Sequence, residues 1–343
     1  MGGVKKEKLR GNVSEILPGV FRIVLPIPGS RPGPLNVYLF TGNPVTLVDT
    51  GFVKTTGVLA ESLSSLGYSF ADIQKIVITH GHVDHYGGAA LIRRRAQKPV
   101  AVLCHREDAP GVEQKPSVPD LIIKRFYRMT GMPVRYRLAM LLLRRGFKSM
   151  AAGCTVDGFL DDGDVVRLGS RRARVIATPG HSKGGICLFL ERERVLFSGD
   201  HVLGHITPNA FVMLEPDSHV PRRSSQVEFY RSLERLAALR PSVVYTGHME
   251  PVADLTKVSA SYRESFGERQ RLILEILKTG KMTPYRIARK LFPHIRGRRF
   301  VLDIYLSISE VYTHLQVLEA EGKVLAERSL GRVRFRAAAP LQP

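Results

Sequence analysis

The chain has 343 residues, with 51 Lys and Arg against 31 Asp and Glu and a formal net charge of +20. That length supports a large core plus a second small domain, and no apolar run reaches the roughly 18 residues that span a bilayer. Three cysteines (Cys104, Cys154, Cys187) and a basic, polar stretch over 1–12 without an apolar leader core argue against a disulfide framework and point to a reducing, cytoplasmic setting.

In chain order, 21–24, 36–40 and 45–48 predict an antiparallel start that ends in Asp49-Thr50-Gly51. A helix is expected near 55–66. The apolar run containing Ile73, Ile76, Val77 and Ile78 then predicts a buried strand, and Thr79-His80-Gly81-His82-Val83-Asp84-His85 follows at its C-terminal end. Four potential metal ligands thus fall within six residues. Imidazole nitrogens and a carboxylate suit a borderline cation such as Zn²⁺. His80 and His82, two apart, can reach one ion; Asp84 and His85 point elsewhere and can reach a second. A helix over 88–96, carrying Arg93, Arg94 and Arg95, and a strand over 100–104 come next.

The stretch 106–150 interrupts this alternation. Helices are predicted at 120–130 and 134–147, the second rich in Leu138, Leu141, Leu142 and Leu143 and flanked by Arg135, Arg137, Arg144 and Arg145. Two main readings stand: a helical hairpin packed on the body, or a lid that walls a substrate pocket. A membrane-surface role is a third. Afterwards the unit of strand, Gly-containing turn and ligand-type residue recurs three times. It places His181 after 174–177, Asp200 after a strand starting near Val195, and His248 after Val243 and Val244. A helix over 226–239 closes this half, and Cys187 reads as a small buried hydrophobe.

Past residue 255 the character changes. An amphipathic helix over 262–278 is followed by a cap at Thr283-Pro284 opening a helix over 285–292. A third helix over 307–320 ends at Gly322. Strands over 324–327 and 332–335 flank Ser329-Leu330-Gly331. Three helices and a hairpin predict a winged helix whose wing bears Arg328, Arg332, Arg334 and Arg336. Nucleic-acid binding is one reading; packing or homodimerisation is the other. The third helix carries Glu310, Glu319 and Glu321, unlike a basic groove-reading helix. The positive charge is spread widely, with another group at Arg296, Arg298 and Arg299. It fits either a solvated basic surface or an acidic partner.

The pieces VDTG (48–51), THGHVDH (79–85), TPGHS (178–182), FSGD (197–200) and TGH (246–248) resemble the metallo-β-lactamase superfamily in its two-metal hydrolase branch. The C-terminal part is similar to the β-lactamase-like protein 2 group. The resemblance implies an α/β (α+β) fold: an αββα sandwich over 1–255 with 106–150 inserted, then a winged-helix domain over 256–343. It implies two divalent ions per chain, Zn with Mn or Fe as alternatives. His80, His82 and His181 would hold the first, and Asp84, His85 and His248 the second. Asp200 would bridge them, and Asp49 would orient a ligand histidine. Zinc β-lactamases usually lack that bridging aspartate, so Asp200 points to glyoxalase II-like, lactonase-like or nuclease-like chemistry. The implied reaction is attack by a hydroxide shared between the ions on an ester, thioester or lactone carbonyl, with Asp84 and Asp200 as catalytic groups that orient it and move its proton. Tyr86, Lys183, His201 and His205 are candidate contacts to a small, anionic or CoA-like substrate. Single-strand-specific endoribonuclease activity at the same centre is the alternative. Lys183 stands where relatives often have Pro, and Met249 where many have Gly.

Overall fold

The structure is a computed structural model that describes residues 12–27, 32–148, 151–295 and 300–338. The expectations for 1–11 and for Arg296, Arg298 and Arg299 lie outside the described residues, as do the side chains of Arg144 and Arg145.

Two sheets carry the first two thirds of the chain. The first has strands in sequence order: β1 (Asn12–Leu17), β2 (Val20–Leu25), β3 (Leu35–Phe40), β4 (Thr46–Val48), β5 (Lys75–Val77), β6 (Ala101–Cys104) and β7 (Gly158–Phe159). Pairing is antiparallel up to β4 and parallel from β4 to β7. The second is formed by β8 (Val165–Leu168), β9 (Arg171–Ala177), β10 (Ile186–Leu190), β11 (Val195–Phe197) and β12 (Val243–Tyr245), with only β11 and β12 parallel. The sequence reading named neither β1, in which polar Asn12, Ser14 and Glu15 are mixed with Val13, Ile16 and Leu17, nor the short strands β7 and β8.

Side-chain alternation sorts the residues into layers. In β3, Leu35, Val37 and Leu39 face an outer core, whereas Tyr38 and Phe40 face the second sheet. In β10, Ile186, Leu188 and Leu190 face the first sheet and Cys187 and Phe189 face outward. Tyr38 and Phe40 meet Phe197 edge-on, with ring centroids 4.8 and 5.2 Å apart. Helices α1 (Thr56–Ser65), α2 (Val83–Tyr86) and α3 (Ala89–Ala96) follow on the first sheet's side, Leu59, Leu63, Ile92 and Ala96 filling its outer core. Helix α4 (Ala109–Val112) opens the inserted stretch, whose main helices are α5 (Asp120–Met129) and α6 (Val134–Lys148). Helix α7 (Ser225–Ala238) covers the second sheet through Phe229, Leu233 and Leu236. The result is an αββα sandwich.

The expected division near residue 255 falls at the start of α8 (Leu255–Leu277), capped by Asp254, whose side chain accepts from the Lys257 amide at 2.9 Å. One helix serves two cores: Leu255, Tyr262 and Phe266 pack with α7, and Ile273 and Leu277 pack in a separate C-terminal core. The remaining elements there are α9 (Pro284–Leu291), α10 (Phe300–Ala320), β13 (Val324–Ser329) and β14 (Arg332–Ala337). Met282 pairs with Phe335 as a short third strand. The inserted hairpin, read either as packed on the body or as a lid that walls a pocket, packs against the C-terminal helices. Its Ile123, Phe126, Tyr127 and Met140 share the C-terminal core with Ile304, Ile308, Val311 and Tyr312 of α10. The physical reason is that α10 is apolar on most of its circumference and needs a partner beyond α8 and α9. All three cysteines are buried and unpaired. No helix among the described residues is long and apolar enough to cross a membrane.

Candidate metal centre

Most ligand-type residues singled out by the motifs follow the C-terminal end of a strand, and Asp84 and His85 sit on the short helix α2 just after His82. Asp49 follows β4, His80 follows β5, His181 follows β9, Asp200 follows β11 and His248 follows β12. The two sheets are sewn together at this rim. The Ile186 amide donates to the Thr79 carbonyl at 2.9 Å, and the Asn36 amide to the Gly247 carbonyl at 2.7 Å. The Asn36 side chain adds donations to the Thr246 and Met249 carbonyls at 2.9 and 2.8 Å. Ligands from different sheets are thereby held in one frame.

Three overlapping groups result: His80, His82 and His181; His80, His85 and Asp200; and Asp84, His85 and His248. Within each, one ligand atom per residue lies within 4.8 Å of the others. Nδ1 of His82 lies 2.9 Å from His80 Nε2 and 3.1 Å from His181 Nε2. Asp200 stands between the groups, with Oδ1 3.4 Å from His85 Nε2 and Oδ2 3.5 Å from His248 Nε2 and 3.8 Å from His181 Nε2. Asp84 Oδ2 lies 3.4 Å from His248 Nε2. The buried atoms His85 Nε2, His248 Nε2 and Asp200 Oδ1 have no hydrogen-bond partner within the protein. Buried polar atoms are rarely left so, and these three converge. Convergent, unpartnered nitrogen and carboxylate donors fit divalent cations.

In His80, His85, His181 and His248 the opposite ring nitrogen is engaged, which fixes tautomer and ring angle. His85 Nδ1 donates to Asp49 Oδ2 at 2.8 Å, His181 Nδ1 to the Asn209 carbonyl at 3.0 Å, and His248 Nδ1 to the Gly33 carbonyl at 2.9 Å. His80 Nδ1 lies 3.1 Å from Thr79 Oγ1, whose hydroxyl donates to Asp49 Oδ2 at 2.8 Å. Close approach demands glycine at 247, because a Cβ there would sit 2.3 Å from Asp200 Oδ1. Met249, at φ 61°, occupies a left-handed position that glycine adopts at least cost.

The electrostatics divide the centre. Burial, reinforced by neighbouring histidines, holds His80 well below the usual imidazole value, and burial with His82 pushes His181 down to about 3. Burial alone would also lower His85 and His248. The carboxylates of Asp200, Asp49 and Asp84 outweigh it and hold His85 well above its ordinary value, and Asp200 with Asp84 raises His248 to about 10. Burial would raise both carboxyls, but His85 and His248 lower Asp84 to about 2 and keep Asp200 well below the carboxylate range.

Over His82 and His181 opens a cavity of about 990 Å³, and Tyr86 and Lys183 line it. Lys183 Nζ donates to the Leu214 carbonyl at 2.6 Å, so it ties a neighbouring wall in place. Two suggested substrate contacts are not brought to this cavity. His201 is buried behind Asp200 and stacks on Phe229 with centroids 4.3 Å apart, and burial lowers it to about 3. His205 turns away and bonds the Pro32 carbonyl at 2.6 Å.

Asp108 was missed by the sequence reading. Its carboxylate accepts from the Gly81 amide through Oδ2 and the Gly184 amide through Oδ1, both at 2.8 Å. It therefore clamps the His80–His85 loop to the His181 loop. No local motif marks it. Asp108→Ala strands both amides, and leaving a buried donor unpaired costs about 1–3 kcal/mol. A thermal melt of this variant should show that loss; an unchanged melting temperature would remove the clamp.

Residues 30–248 match the metallo-beta-lactamase superfamily profile. The "Probable metallo-hydrolase YqjP" of Bacillus subtilis is 28% identical over 84% of this chain and 89% of its own length. The "Beta-lactamase-like protein 2 homolog" of Caenorhabditis elegans is 28% identical over 79% of this chain and 73% of its own. An "Atrochrysone carboxyl ACP thioesterase" of Claviceps purpurea is 27% identical over 71% of this chain and 60% of its own. Among solved structures, a metallo-beta-lactamase family protein from Thermus thermophilus superposes with a TM-score of 0.79 at 29% identity, covering 94% of this chain and 100% of that one.

Proposed function

The chain belongs to the metallo-beta-lactamase superfamily, a family of metal-dependent hydrolases, and from that premise we propose that it is a dinuclear hydrolase of an ester, thioester or lactone. The observation that carries the reading is Asp200, whose two oxygens face His85 on one side and His181 and His248 on the other. His80, His82 and His181 would hold one ion, Asp84, His85 and His248 the other, and Asp200 both. Five imidazoles with two carboxylates suit Zn, with Mn or Fe as alternatives. Bound there, two cations supply Lewis acidity and make water nucleophilic near neutral pH. The relative named as a thioesterase supports the thioester arm.

In the net reaction the water oxygen joins the acyl carbon and the bond from that carbon to sulfur or oxygen breaks. The leaving group takes up a proton, and a carboxylic acid is released with a thiol or alcohol. Asp84 retains some access to solvent, whereas Asp200 is nearly sealed. With a pKa of about 2, Asp84 is a carboxylate throughout the physiological range. It therefore orients the water by accepting its hydrogen bond and relays the proton, instead of storing it. Asp200 fixes the spacing of the two ligand groups.

Elemental analysis of protein purified without chelator should find up to two equivalents of metal. An assay panel of thioesters, lactones and single-stranded RNA should show chelator-sensitive acyl hydrolysis. Metal content that never exceeds one equivalent after reconstitution would sink the dinuclear reading.

The pKa pattern sets a pH dependence. His85 and His248 carry raised values, so in the metal-free chain their charged forms contribute stability. That contribution is complete below about pH 6.5 and lost as pH climbs through about 10 for His248. Metal uptake by the group with Asp84 runs the other way, since the imidazoles must give up protons. His181, at about 3, is already neutral. Calorimetric zinc titration should show proton release concentrated in one of two binding phases, that phase weakening towards acid pH. Two phases with equal proton release would contradict the assignment.

A second reading rests on a basic cleft of about 520 Å³, lined by Arg137, Lys281, Arg286, Arg332 and Arg334. Read as a winged helix, the C-terminal helices and hairpin would there offer a polyanion surface to single-stranded RNA. RNA cleavage with steep salt dependence in the same panel would favour it.

A further inference from the structure

The cavity beside the metal centre is lined near the ligands by residues of 81–86 and 181–183 and of the polar stretch 110–118, and its apolar walls come from three segments that are far apart in sequence. Ile123 and Tyr127 of α5, with Met140 and Leu141 of α6, form one wall. Residues 211–214 form a second, and Leu302 and Tyr305 of α10 a third. The second wall is fastened on both sides. Its Val212 amide donates to Ser309 Oγ of α10 at 2.8 Å, and its Leu214 carbonyl accepts from Lys183 at 2.6 Å. Phe211 carries the apolar surface up to the ligands themselves, its ring centroid 5.4 Å from that of His181 and 5.7 Å from that of His82.

We infer that this cavity is a subsite for a linear, apolar acyl chain, whose carbonyl is presented at His82 and His181 and whose tail ends against Leu302 of α10. The inference rests on the hydrolase reading and narrows its substrate to medium-chain fatty acyl esters or thioesters. Gln114, Lys115, Ser117 and Lys124 also line the cavity, but a sugar, nucleotide or bicyclic amide filling it would still set polar groups against Ile123, Met140, Leu141, Val212 and Leu302, which offer no hydrogen bonds in return. A flexible methylene chain makes no such demand, and two methionines, Met140 and Met213, can adapt their unbranched side chains to its conformers. The C-terminal core is then part of the substrate site, because α10 supplies its far end.

Two measurements test this. The first is kcat/KM of the metal-loaded protein on S-acyl-N-acetylcysteamine thioesters from acetyl to decanoyl. Each methylene that becomes buried should raise kcat/KM about fourfold until the cavity is filled. In Leu302→Gln the decanoyl-to-acetyl ratio should fall at least fivefold, while the volume-conserving Leu302→Met keeps the wild-type slope. The second is calorimetric binding of decanoate to chelator-treated protein, with weakening of at least fivefold in Leu302→Gln. Hydrolysis that is flat or falling with chain length would overturn the acyl subsite and leave the hydrolase reading intact. Decanoate binding sensitive to Leu302→Gln without hydrolysis of any thioester would uphold the subsite and sink the hydrolase reading. Absence of both would sink both.

Discussion

Asp200→Ala is expected to lower kcat by about three orders of magnitude, the scale on which loss of a group that stabilises developing charge acts. Among the described residues its carboxylate is the one placed against ligand-type residues of both groups, 3.4 Å from His85 and 3.8 Å from His181. Without it, the two sets of imidazoles have no shared anion between them, and the metal content of the purified protein should fall below two equivalents. A second effect appears without metal. Asp200 keeps His85 and His248 charged, so the metal-free variant should lose the stability that those charges provide. Asp200→Asn keeps the volume and tests whether charge or bulk matters. A longer side chain is not an option, since Gly247 already leaves no room beside Oδ1. Near-normal turnover by a folded Asp200→Ala variant holding two metals would show that the bridge is misassigned.

Asp49→Asn should weaken metal binding by about 10–100-fold, the usual cost of losing a partner that orients a ligand histidine. Asp49 is buried, and its carboxylate accepts three hydrogen bonds at 2.8 Å, from the Thr79 amide, the Thr79 hydroxyl and His85 Nδ1. An amide in its place turns one acceptor into a donor that faces a donor. Backbone strain does not confound the test. Asp49 sits at φ 61°, and asparagine tolerates that left-handed region at least as well. Competition titration against a chromophoric chelator measures the effect, and a wild-type affinity would mean that His85 is oriented by something else.

Much of the centre was legible in the sequence because each ligand lies within a few residues of a strand end and beside a turn residue. Strand, turn and ligand are local features, and local features leave local signals. The spacing of His80, His82, Asp84 and His85 needs only one loop to be meaningful. The partners of the ring nitrogens were less visible. Asp49 could be guessed from its own strand-turn unit, but the Gly33 and Asn209 carbonyls are backbone atoms that any residue would supply. Asp108 has no motif around it, and its two amide partners, Gly81 and Gly184, lie 27 and 76 residues away.

The sequence by itself laid out the αββα alternation, the candidate ligand-type residues at strand ends and the helix-and-hairpin order of the C-terminal part, since these follow from periodicity and from motifs a few positions long. The tertiary structure alone decided which core each helix joins. Helix α8 starts at the expected boundary yet belongs to two cores, because a helix with apolar residues at both ends can bury Tyr262 in one core and Ile273 in another without a break. The inserted hairpin went to the C-terminal core, and α10 came to wall the cavity at the metal ligands. An amphipathic face states that it needs an apolar partner; it does not state which one. That choice depends on how distant surfaces fit together, information held by no segment of the chain alone.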